Sequence, residues 1–481
     1  MAGRNRWAVL LLIAAAASIT MASAQTPETP PIAPPPVVTP VLPEPPPIVS
    51  STPQGPSELP ILTAPAPPEP PHEGFSGSRG DAIRVVVGLF VLFGLAYLGG
   101  LPFVRELERK LGISHLITAG LPYVFLGAIA SHPSVDVLSK SVLYELRPLL
   151  VLGLGWIGFT IGFRFDAELM KALWPGIGAV VAFTSAWPFA TALLLCGAML
   201  WAAEGSKGAG AFIRDAILLG TAGAMTGSTT PDLLRARGVA QRSIERIRTV
   251  IQMEELAALL GLMLVAAYFR SAAYFVAWQL PGTAWLFITI GMGATMGAVI
   301  YPILGKIEGG PEFVLAMLGS ISFTAGMASY LRLSPVVVCF IAGAILVNLP
   351  GGPKEQVRET LEHLERPIYL LFLIVAGSLW QVLQWQGWAL MALFVVARLS
   401  GKWIGMLLLQ KRHVGGLDAQ ERRNLVLAPL GALSIAIVVS AEDLYSNSTT
   451  IPWIVTAVIG GAIVTEILVQ WFSRTQTPEA A

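Results

Sequence analysis

From Asp81 onward the chain alternates apolar runs of about 18 to 25 residues with short polar breaks, and about 20 helical residues are needed to cross the hydrocarbon core of a bilayer. About thirteen such runs can be marked on this criterion, near residues 82–100, 113–131, 146–163, 174–200, 211–236, 248–269, 283–305, 311–330, 333–349, 367–381, 386–409, 423–441 and 450–472. The pattern predicts an all-α polytopic membrane protein. Two runs are interrupted in mid-span. The fifth carries Ser228, Thr229, Thr230 and Pro231 after Gly227, and the twelfth carries Pro429, Gly431 and Ser434. Proline removes a backbone hydrogen bond and glycine loosens the turn. Broken helices at membrane depth are tolerated where they line a cavity, and their free ends and carbonyls bind ions in transporters. Two broken spans half a molecule apart also predict duplicated halves.

Basic residues orient this pattern, because Lys and Arg gather in cytoplasmic loops. The loops after odd-numbered runs hold Arg105, Arg109 and Lys110; Arg164 and Lys171; Arg235, Arg237, Arg242 and Arg246; Lys306; Lys354, Arg358 and Arg366; Lys411, Arg412, Arg422 and Arg423. Loops after even runs hold far fewer. The expected topology puts the N-terminus outside and the C-terminus in the cytoplasm, in the cell's inner (plasma) membrane. The N-terminal residues agree with it: Arg4 and Arg6, the apolar stretch Trp7 to Ala17, and a small-residue cleavage site ending at Ala24 predict a signal peptide over 1–24. Residues 25–80 are so rich in proline that an extended, disordered external segment is expected. Residues 81–473 are expected to form the transmembrane domain and 474–481 a short cytoplasmic tail, and no soluble nucleotide-sensing module is expected after the last run.

Composition narrows the class further. The chain is 54% hydrophobic and 13% charged, with a net charge of +1, so no basic field exists for nucleic acid and charge arguments must be local. Neither Cys196 and Cys339, which lie inside apolar runs, nor the five scattered histidines have metal-ligand spacing; no cofactor or metal is expected. "GLGWIG" matches a dinucleotide fingerprint through Gly153, Gly155 and Gly158, yet it lies within an apolar run without a βαβ context, so helix packing is expected. Gly293 and Gly297 read the same way. Glu466, near the inner end of the last run, is expected to pair locally.

Charges deep within apolar runs cost several kcal/mol to bury and normally face a cavity or a partner. Glu254 and Glu255 head the sixth run, with Gln252 in the same turn. Helical neighbours point about 100° apart, so one glutamate is expected to be the site and the other its support, and spacing leaves open which. Arg398 and Lys402 stand four apart in the eleventh run, share a face, and are the natural counter-charges. The candidate ion and proton site therefore comprises Glu254, Glu255, Gln252, Ser228, Thr229, Thr230 and Ser434.

These motifs, taken in order, resemble the monovalent cation:proton antiporters: "GFTIGFRFDAELM" in the third run, "GSTTPDLLRARG" in the fifth, "EELAALLG" in the sixth, "LRLSPVVVCFIAGAILVN" entering the ninth and "PLGALSIAIV" in the twelfth. The resemblance covers most of residues 82–472. It implies inverted repeats, a mobile core in which the fifth and twelfth runs are two crossed discontinuous helices, and a dimerisation domain that makes a homodimer. It also implies that the sixth-run acids bind the ion and proton, facing Arg398 or Lys402. The pair in that family is usually Asp-Asp or Asn-Asp; here it is Glu-Glu, and Thr230 stands where an acid often precedes the proline. The function implied is exchange of Na⁺ or K⁺ for H⁺ by alternating access, without enzymatic chemistry. Two rival expectations are a Na⁺-coupled organic anion transporter of the same fold and a non-transporting membrane sensor using the proline-rich arm.

Overall fold

A computed structural model of the chain describes residue 94 and residues 120–132, 140–171, 173–204, 209–270, 280–307, 309–412, 415–445 and 448–474. The signal peptide, the proline-rich segment, most of the first predicted run and the last residues of the tail lie outside the described residues. In chain order the helices are α1 (Leu121–Ala130), α2 (Lys140–Glu145), α3 (Arg147–Phe163), α4 (Ala167–Lys171), α5 (Ile177–Glu204), α6 (Ala209–Ala224), α7 (Thr230–Ala236) and α8 (Gln241–Tyr268). They continue with α9 (Gly282–Leu304), α10 (Pro311–Tyr330), α11 (Pro335–Asn348), α12 (Lys354–Ser378), α13 (Trp385–Lys411), α14 (Ala419–Val426), α15 (Ala432–Leu444) and α16 (Ile451–Arg474). No strand occurs among the described residues. Among the described residues six helices, α5, α8, α9, α10, α13 and α16, are long and apolar enough to cross a membrane on their own.

Two boundaries differ from the hydropathy pattern. Helix α12 begins at Lys354 rather than near 367, because "KEQVRETLEHLER" is amphipathic and continues the helix, burying Val357, Thr360 and Leu361 on one face. Helix α8 likewise starts at Gln241, its first turns burying Ile244 and Ile247. Polar residues read as loop in a hydropathy count are here the exposed face of a helix.

The helices pack as two groups. In one, α5 and α16 flank α13, and α6 packs on α5, α8 and α15. In the other, α3 packs on α10, α11 and α12, α9 on α10 and α11, and α1 on α12. The second group is held by close backbone approach. The glycines of "GLGWIG" pack rather than bind: a side chain at Gly155 would meet Ala325 and the Cys339 sulfur, and one at Gly158 would meet the Val336 backbone. Gly293 and Gly297 of α9 do the same against α11, at Ile341 and Ala342. The groups meet where α8 touches α9 and α11, and where α15 touches α3 and α11.

Both interrupted runs are discontinuous helices, and they cross. The fifth run breaks over residues 225–229, between α6 and α7, and the twelfth over 427–431, between α14 and α15. Pro231 does not make its break, contrary to the sequence expectation. It occupies the first turn of α7, where a missing N–H costs nothing, and the break falls earlier, around Gly227. At the crossing the Gly227 amide donates to the Pro429 carbonyl at 2.8 Å. A Cβ on Gly431 would lie 2.7 Å from the Gly227 Cα. Gly431 has ordinary extended backbone, φ −106°, so glycine is required by space. Gly431→Ala is expected to push the breaks apart and cost about 1–3 kcal/mol, read as a lower midpoint of thermal unfolding in detergent.

Candidate ion-binding site

The crossing creates a polar centre inside an apolar bundle. Helix α8 brings Glu254 and Glu255 to it, and both are buried, at 1% and 4% exposure. Helix α13 brings Arg398 and Lys402, neither of which is exposed at all. Their four-residue spacing puts the two bases on one face, one turn apart, and the structure gives them different tasks.

Lys402 Nζ donates to Glu254 Oε1 at 2.8 Å and to Thr226 Oγ1 at 3.0 Å. This acid–base pair is wholly enclosed, an arrangement that persists only when each charge offsets the other's desolvation. Arg398 touches no carboxylate. Its Nη2 donates to the Met225 carbonyl at 2.8 Å and, at 3.4 Å, to the Pro429 carbonyl. Those carbonyls lie just past the ends of α6 and α14, where the helix dipoles leave partial negative charge. One guanidinium therefore ties together the two breaks. Its Nε and Nη1, and Oε2 of Glu254, have no hydrogen-bond partner.

Glu255 stands apart from this pair. About 100° round the helix from Glu254, its carboxylate makes no ion pair within 4.0 Å among the described residues. The charges acting on it from further away are Arg164, Glu254 and Glu365. Of these Glu254 is neutralised by Lys402, and Arg164 is bonded to Glu365 at 2.9 Å. Glu255 therefore has no cation in contact among the described residues.

The other sequence candidates fall into two sets. Ser434 is buried at the crossing and donates to the Ala222 carbonyl at 3.2 Å, tying α15 to α6. Thr230 is buried with its hydroxyl unpartnered. Ser228 is exposed, and Thr229 and Gln252 are partly buried. Neither Ser228 nor Thr229 is bonded to the acid–base pair, and Thr226, which is, was not singled out from sequence. Its signal was its place in the same interruption, "AMTGSTTP". The Met225 and Pro429 carbonyls, being backbone, left no signal at all. Glu466 is buried and acts electrostatically on Arg237 and Tyr369.

Two discontinuous helices crossing beside buried acids and bases form the core of a secondary transporter, a protein without catalytic chemistry of its own. The chain belongs to the sodium/hydrogen exchanger transmembrane family, whose model matches residues 82–475. Its fold is similar to that of a sodium proton antiporter from Methanocaldococcus jannaschii solved at pH 8, with a TM-score of 0.57 at 14% identity, covering 81% of this chain and 98% of that one. Among curated proteins none matches the chain.

Proposed function

We propose that the protein exchanges Na⁺ or K⁺ for H⁺ by alternating access, and that Glu255 is the carboxylate the two ions share. The observation that carries this reading is a carboxylate at 4% exposure without an ion-pair partner among the described residues, next to one that has such a partner. A bare charge in that position is costly. A proton or a monovalent cation relieves the cost, and one carboxylate accommodates only one of them at a time. Loaded, the core is neutral enough to move; bare, it is held back. That difference couples the two fluxes.

Lys402 then serves as a fixed counter-charge for Glu254, and Arg398 as the clamp on the crossing. The basic loops support an external N-terminus and cytoplasmic C-terminus in a plasma membrane, and the family resemblance supports a homodimer. The test is proton movement in liposomes containing the protein and an internal pH dye, driven by outward gradients of Li⁺, Na⁺, K⁺ or Rb⁺. Alkali-cation gradients are expected to move protons in the opposite direction, with Na⁺ or K⁺ the most effective. Because the ions compete, the cation concentration for half-maximal flux should rise as pH falls. Absence of proton movement with all four cations contradicts the proposal.

A further inference from the structure

The face at which α8 and α15 end holds a second polar cluster, which joins the two helix groups rather than serving the ion site. Its hub is Asp443, the penultimate residue of α15, with its side chain 3% exposed. From the opposite group, Arg147 at the start of α3 donates through Nε to Asp443 Oδ1 at 2.6 Å. Ser329 at the end of α10 donates to Oδ2 at 3.5 Å. Arg332, in the loop from α10 to α11, donates to the Asp443 carbonyl at 3.3 Å. The same loop adds two ties: Ser334 and Ser440 share a hydrogen bond at 2.9 Å, and the Leu331 carbonyl accepts from Arg270 at 2.9 Å. Arg270 follows α8 and lies 3.5 Å over the Trp285 ring of α9.

Two features show that this loop is held under constraint. Arg332 has φ 54°, the one positive value at a non-glycine among the described residues, a conformation costing about 1 kcal/mol or more that persists only where the surroundings impose it. Its core-side anchor is itself braced. Arg214 of α6 pairs with Asp215 at 2.6 Å and bonds Ser448 at 2.9 Å, and lies 4.3 Å over the Tyr445 ring. Thr450 donates to Asp215, and Tyr445 donates to the Val265 carbonyl at 3.2 Å. The ends of α6, α8, α15 and α16 are thus fixed to one another, so movement at this face would occur between the groups, not within the core.

Glu255 lies 13 residues before the end of α8, about 20 Å of helical rise from this face. Helix α8 itself touches α9 and α11 of the opposite group, and Arg164 and Glu365 of that group act electrostatically on Glu255, so Glu255 lies on the helix that borders the boundary between the groups. We infer that Asp443 is a positioning residue that latches the two groups together at this face, and that Glu255 becomes accessible there only when the latch with Arg147, Ser329 and Arg332 opens. The inference rests on the alternating-access reading above, and on the basic loops for naming this face the external one.

Two experiments on the full-length protein test it, starting from a background with Cys196→Ala and Cys339→Ala. In the first, Ser334→Cys and Ser440→Cys are combined and oxidised. Cross-linked protein should lose exchange and regain it on reduction with dithiothreitol; exchange continuing at the reduced rate in fully cross-linked protein overturns the latch. The second needs no ion transport, so it stands even if the reduced pair moves no ions and the antiport reading fails. Leu262 lies seven residues beyond Glu255 on the same face of α8 and is buried. With Leu262→Cys as reporter, Asp443→Asn and, separately, Arg147→Gln should raise labelling by an external membrane-impermeant maleimide about tenfold, as expected of a shifted two-state population. Arg147 is 35% exposed, so its replacement disturbs packing least and decides the matter if Asp443→Asn folds poorly. Unchanged labelling in Arg147→Gln overturns the proposal.

Discussion

Replacing Glu255 by glutamine is expected to reduce cation-driven proton flux to the level of protein-free liposomes while leaving the protein as stable as before, or more so. The two halves of this expectation have one cause. Glutamine keeps the shape of the side chain and removes a buried charge that has no ion-pair partner among the described residues, so folding loses nothing electrostatically and is spared a desolvation cost. Transport, in contrast, loses the group that binds either ion. A residue with only a packing role would show the reverse, lowered stability with residual flux. Glu254→Gln provides the comparison. It strands the Lys402 ammonium in the bundle, so its main effect should be on stability, with the flux that survives still dependent on Glu255.

The second large effect concerns Lys402 directly. Lys402→Ala leaves the Glu254 carboxylate enclosed with no cation in contact, since Arg398 is committed to the Met225 and Pro429 carbonyls. Removing one partner of such a buried pair costs about 3–5 kcal/mol, a loss that should appear as a clear fall in the thermal unfolding midpoint in detergent. Replacing both partners, Glu254→Gln with Lys402→Met, should recover most of that stability, because two neutral side chains of similar volume incur neither desolvation cost. If the double variant is no more stable than Lys402→Ala, the pair is not the balanced unit described above. Arg398→Lys is a different matter: one nitrogen, Nη2, reaches both carbonyls, and the shorter lysine does not place its ammonium there, so the crossing of the breaks, not the charge balance, would suffer.

Much of this arrangement was legible from periodicity and breakers. An apolar run has to become a helix in a bilayer, so runs such as 311–330 coincide with the helix that forms. The two breaks were legible because glycine, proline and hydroxyl residues cluster there, and the charged residues of the centre stood out because charge is rare at that depth. What was not legible depends on relations between helices. Nothing local to α8 says which of two adjacent glutamates meets Lys402; that is fixed by how α8 sits against α13 and the crossing. Nothing in "ARLSGK" says that Arg398 binds carbonyls while Lys402 binds a carboxylate. Gly227 was legible as a breaker, but Pro231 beside it is one only in a helix interior, and here it begins a helix. Asp443 went unnoticed because a carboxylate at the end of an apolar run looks like an interfacial anchor until Arg147, far away in sequence, is brought against it.

The claim on which the account turns is that one carboxylate, Glu255, is shared by a proton and a cation. Its most direct measurement is proton release from the purified protein in weakly buffered detergent solution, followed with a pH dye as Na⁺ or K⁺ is added to an otherwise alkali-free sample. Saturable release is expected on cation addition from the wild type, with choline chloride releasing none and Glu255→Gln releasing none with any cation. Release undiminished in Glu255→Gln, or no release from a wild type that exchanges cations for protons in liposomes, would contradict it.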